Sequence, residues 1–69
     1  MLTYDIRKHR RYSGGDVLES VTTHRTPDAT VELLPHTDDG VINAINRGDI
    51  GHHFIDVAEY TYHIVVKAP

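Results

Sequence analysis

The sequence predicts a small α+β domain, with one antiparallel sheet of about four strands ordered β-β-β-α-β along residues 1–69 and one short helix packed on it. Three observations predict it. A diglycine, Gly14-Gly15, separates two segments of alternating side chains. One stretch, "HTDDGVINAINRGD", carries apolar residues at helical spacing between capping signals. The last third, "GHHFIDVAEYTYHIVVKAP", is dense in β-branched and aromatic residues.

The diglycine suits the centre of a two-residue primed turn, where positive φ is needed. Pairing Ser13 with Asp16 sets Tyr12 opposite Val17, Arg10 opposite Glu19, Lys8 opposite Val21, Ile6 opposite Thr23 and Asp5 opposite His24. Strand side chains alternate in direction. Leu2, Tyr4, Ile6, Lys8, Arg10 and Tyr12 then share one face with Val17, Glu19, Val21 and Thr23. The other face, with Arg7, His9 and Arg11, is almost wholly polar and points to water or to a partner. Arg10 is expected to pair with Glu19, and the apolar face runs out near Ile6, so the hairpin tip projects past the core.

Thr26-Pro27-Asp28 reads as a turn, because proline presets φ and aspartate favours turns. "ATVELLP" reads as a third strand that Pro35 closes. The helix follows. Thr37 or Asp38 can cap it, and Asp38 and Asp39 suit the positive end of its dipole. Val41, Ala44 and Ile45 form its apolar stripe with Ile42 adjacent, and Gly48 suits its end. In the last segment Phe54, Tyr60, Tyr62, Ile64 and Val66 have one parity, and Ile55, Val57 and Val65 the other. A single strand covered on both faces, or one with a bulge near residues 56–59, explains both. One helix leaves an apolar surface over, which a second copy of the chain would cover.

Composition narrows the function. Sixty-nine residues make one domain, 1–69, of marginal stability. There is no cysteine, which excludes disulfides and thiolate metal sites and fits a reducing, cytoplasmic setting. No run of about 18 apolar residues predicts a membrane span. "MLTYDIRKHRR" lacks the apolar core of a signal peptide. The net charge of −3 is unevenly placed: Arg7, Lys8, Arg10 and Arg11 lie within the first 12 residues against Asp5 alone, and the rest of the chain is acidic. Such an arm meets an anionic partner, the chain's own acidic surface, or that of an identical subunit.

The candidate binding residues are therefore Arg7, Lys8, His9, Arg10, Arg11 and Tyr12. Between Tyr4 and Tyr12 this run is suited to grip a phosphate backbone while tyrosines stack on bases. The acidic remainder of the chain repels a long polyanion, which favours a protein partner. Six histidines, His9, His24, His36, His52, His53 and His63, raise metal binding. His36, Asp38, His52 and His53 are the candidates, but adjacent strand residues such as His52 and His53 point to opposite faces and are poorly placed to chelate together, and Asp38 is equally a helix cap. Arg47 and His52 fit R-x-x-x-x-H, which resembles the signature of HEPN ribonucleases. That family carries the motif in a helical bundle, whereas here it spans Gly48, Asp49 and Gly51, so the resemblance transfers no activity. Arg47-Gly48-Asp49 resembles the integrin-binding tripeptide, but three residues that also end a helix carry little information. No nucleophile elbow, triad or phosphate loop is present. The sequence thus predicts a non-enzymatic binding or regulatory module without cofactor. It docks on another protein, or on itself as a homo-oligomer, through the basic hairpin. Nucleic-acid binding by that hairpin is the alternative, and a histidine-based metal or small-ligand site the second.

Overall fold

Thr3–Tyr12 (β1) and Gly15–His24 (β2) form the expected hairpin. In the computed structural model, which describes all 69 residues, its turn is centred one residue earlier than the sequence implied. Tyr12 faces Gly15, Arg11 faces Asp16 and Arg10 faces Val17. Only Gly15 of the diglycine takes positive φ, at 125°. The register then slips between Lys8 and His9, so that Lys8 faces Ser20 and Ile6 faces Thr22. Glu19 is the extra residue of this bulge, and it exchanges the two faces of β2 beyond it. Thr22, not Thr23, therefore shares a face with Ile6, and Val21 lies on the opposite face beside Arg7.

The third segment is a helix, not a strand. Pro27–Glu32 (α1) begins where Thr26 Oγ1 accepts from the Ala29 N–H at 3.2 Å, with proline in the first turn and Asp28 beside it. These are start signals that override the β preference of Thr30 and Val31. Thr30 is fully buried and its hydroxyl donates to Thr26 O at 2.8 Å. Asp39–Arg47 (α2) matches the sequence reading. Asp38 Oδ1 accepts from Val41 N, and Gly48 closes the helix in the left-handed region at φ 73°.

The last segment is two strands, Gly51–Val57 (β3) and Tyr60–Lys67 (β4). A tight turn at Ala58-Glu59 exchanges the parities that a bulge was expected to exchange. Val57 faces Tyr60, Ile55 faces Tyr62 and His53 faces Ile64. The domain is α+β, with a four-stranded antiparallel sheet in the order β2-β1-β4-β3 and two helices.

Both helices lie on one side. Tyr4, Ile6, Ile55, Ile64 and Val66 of the sheet meet Ile42 and Ile45 of α2, together with Leu34, in one core. Burying each such side chain contributes about 1.5–3 kcal/mol. The other side of the sheet has no helix over it. The core also stops partway along the strands: Tyr4, Asp5 and Ile6 are buried, whereas residues 11–23 are all exposed. The sheet end carrying both tight turns thus protrudes, in a molecule measuring 37 × 23 × 18 Å.

Candidate functional site

The protruding end gathers the basic run of β1. On the helix side of the sheet, Lys8 Nζ lies 4.2 Å from the centre of the Tyr60 ring and 5.7 Å from that of Tyr62. The Arg10 guanidinium lies 5.5 Å from the Tyr12 ring and 5.7 Å from Tyr60. Arg10 bonds Glu59 at 3.4 Å, not Glu19. Tyr12, Tyr60 and Glu59, in that order, hold the Arg10 guanidinium above its ordinary pKa. On the open side, Arg11 donates to the carbonyls of Val57 and Ala58 and lies 3.5 Å from Asp56.

These contacts explain where the charge asymmetry goes. The four cations Arg7, Lys8, Arg10 and Arg11 share this end of the sheet with four carboxylates, Asp16, Glu19, Asp56 and Glu59. The turn of the second hairpin brings Asp56 and Glu59 onto the basic arm. The end is neutral overall, and the net −3 resides on the remainder of the chain. Tyr4, read as one flank of a base-stacking run, is only 3% exposed and belongs to the core.

Apolar surface remains around the neutralised charges. Tyr12, Val17, Leu18, Val21 and Phe54 are each about half exposed. Arg7 is exposed and His9 half-buried on the open face. Across that face runs a row that the sequence did not reveal: Val21 beside Arg7, Arg7 beside His63, His63 beside Phe54. Phe54 stacks on His63 with centroids 4.5 Å apart and planes 9° apart. His52 Nδ1 lies 2.8 Å from His63 Nε2, a bond that needs at least one neutral ring to accept. Burial first, then His52, Arg7 and His9, hold the His63 pKa below 6.5. The next row ties three strands together. Asp5 accepts from Thr23 at 2.9 Å and pairs with Lys67 at 2.7 Å, and the Lys67 bond is the main cause of its lowered pKa.

The proposed metal set is dispersed. His36 Nε2 contacts Val31 O, Asp38 caps α2, His53 Nε2 contacts Asp49 O, and His52 bonds His63. No three His, Asp or Glu side chains converge in a metal-binding geometry. Arg47 binds Asp49 at 2.9 Å around the Gly48 cap, which accounts structurally for that tripeptide. The only recess, about 220 Å³ between Ile6, Lys8, Ser20, Thr22, Leu33 and Tyr62, is smaller than the usual small-molecule pocket. No helix is long and apolar enough to cross a membrane.

No protein-family model, curated protein or solved structure matches this chain.

Proposed function

We propose that the chain is a non-enzymatic docking module that binds another protein, or a copy of itself, through the protruding end of its sheet. The supporting observation is the charge balance at that end. Cations matched by carboxylates give little net pull on a polyanion, while tyrosine, arginine and exposed aliphatic groups are what protein interfaces use. Tyr12, Arg10, Leu18, Val21 and Phe54 make the anchors. Arg7, Lys8, His9 and Arg11 orient the partner and exclude wrong ones.

The test is affinity capture from source cells by the wild type and by a folded Tyr12→Ala/Leu18→Asp/Phe54→Asp variant. Captured proteins are then rebuilt as complexes from purified components. The reading requires a partner that binds the wild type and is lost by the variant. Equal recovery by both contradicts it. A second reading, single-stranded nucleic acid, draws on the cation–aromatic stacks of Lys8, Arg10, Tyr12 and Tyr60. It requires affinity that falls steeply with salt, with a slope that Arg7→Ala flattens.

A further inference from the structure

The outer edge of β2 has no partner within the chain. β2 ends the strand order, and no turn or loop hydrogen bond involves residues 15–24. Its outward N–H and C=O groups form an open template for another strand. Natural edges are usually blunted by shortness, lysine, proline or a β-bulge. This one is ten residues long, has no lysine or proline, and is exposed from Gly15 to Thr23, with one bulge, at Glu19. The bulge at Glu19 limits regular pairing to the run after it, Ser20–His24, which is "SVTTH".

We propose that this edge pairs antiparallel with the same edge of a second copy, about a two-fold axis at Thr22. This rests on the docking reading above and names a second copy as the partner, met at the β2 edge that adjoins the protruding end. The charges choose the occupant and the register. With Thr22 facing Thr22, Val21 faces Thr23 and Ser20 faces His24, so residues paired across the seam lie on the same face of the sheet in both copies. Just outside the regular run, the bulged Glu19 of one copy then lies next to Arg25 of the other, the first residue after β2, and Arg25 next to its Glu19, so that two reciprocal ion pairs close the seam. β3, the other edge, offers no such match between fixed charges, because Gly51–Val57 carries one acid, Asp56, and no lysine or arginine. The seam also has apolar flanks. Val21, 53% exposed, lies beside it on the open face, and Leu33, 54% exposed, lines a shallow recess with Ser20 and Thr22 on the helix face. The product is a continuous eight-stranded sheet with all helices on one side and a doubled open face on the other.

Sedimentation velocity on the full chain and its variants tests the seam. The wild type runs as a dimer. Glu19→Arg alone, or Arg25→Glu alone, sets like charges at both ends and weakens dimerisation by about tenfold. The double reversal Glu19→Arg/Arg25→Glu restores it. Because the chain has no cysteine, Thr22→Cys gives a clean second readout. Facing Cα atoms about 4.5–5.5 Å apart lie within disulfide reach, so Thr22→Cys forms a covalent dimer on mild oxidation. Ile50→Cys, also exposed but away from the seam, does not. A monomeric wild type, a double reversal that fails to restore the dimer, or equal cross-linking of both cysteine variants overturns the proposal. A monomer that still captures a partner dependent on Tyr12, Leu18 and Phe54 removes this seam and leaves the docking reading standing. Loss of both removes both.

Discussion

Asp5→Asn isolates one interaction that holds three strands together. Asp5 lies on the open face in the middle of the sheet, 8% exposed, between Thr23 of β2 and Lys67 of β4. Asparagine keeps the side-chain oxygen that accepts from Thr23 and loses the charge that binds Lys67. A hydrogen bond to a charged group contributes about 1.5–3 kcal/mol when sheltered and an exposed ion pair at most about 1 kcal/mol. The Lys67 side chain is 51% exposed, so the expected loss falls between these limits, at about 1–2 kcal/mol. A domain of this length has about 3.5–10 kcal/mol of stability in total, so the change is large enough to read. Urea denaturation at neutral pH, followed by circular dichroism, should show the midpoint falling by about 1–2 M at an ordinary slope for this size. Acid adds a second signature. Folded Asp5 titrates below 3.8, so its contribution is complete above that value and is lost as the pH falls from there through the lowered folded pKa. Wild type and variant therefore converge in acid. A variant within a few tenths of a kcal/mol of wild type at neutral pH, or a difference that persists unchanged in acid, refutes the reasoning.

Three other outcomes follow from the same geometry. Gly48→Ala places a side chain at φ 73° and its Cβ 2.9 Å from Leu2 Cδ1, so thermal or urea unfolding should show a loss of about 1–2 kcal/mol. Thr26→Ala removes the cap of a helix only six residues long; it should lower stability by about 1 kcal/mol in the same assay and reduce amide-exchange protection in α1 first. Folded His63 binds a proton less readily than the unfolded chain does. Stability is therefore full above 6.5 and declines as the pH falls from there through the lowered folded value. His63→Phe, which keeps an aromatic ring against Phe54, should show a shallower decline in a pH series of urea midpoints.

The sequence carried the first hairpin and α2 because each has its own punctuation. The diglycine marks one, and Asp38 and Gly48 cap the other. The hairpin register was off by one turn position, since Ser13-Gly14 and Gly14-Gly15 are both acceptable turn centres by composition. The bulge at Glu19 leaves no local signal. Residues 27–32 resemble a strand in sequence because Thr26-Pro27 serves a turn and a helix start equally well and Thr30 and Val31 are β-branched. The turn at Ala58-Glu59 has no glycine, proline or asparagine, so its parity change was indistinguishable from a bulge. That turn also decides the site. Without it, His52 and His63 lie far apart, Phe54 has no stacking partner, and Asp56 and Glu59 cannot reach Arg11 and Arg10. The placement of Arg7, His9 and Arg11 on the face away from the helices needed only strand alternation, and that was legible.

The proposed function requires this chain to meet protein at the protruding end of its sheet. Carbodiimide labelling of carboxylates, read by mass spectrometry, addresses it directly, because acids on the protruding sheet end and acids on α2 serve as mutual controls. The purified chain at high dilution is compared with the chain in a lysate of its source cells. Docking at the protruding end protects Asp16 and Glu19 in the lysate while Asp38 and Asp39 at the start of α2 stay reactive. Unchanged labelling of Asp16 and Glu19, or protection confined to Asp38 and Asp39, contradicts it.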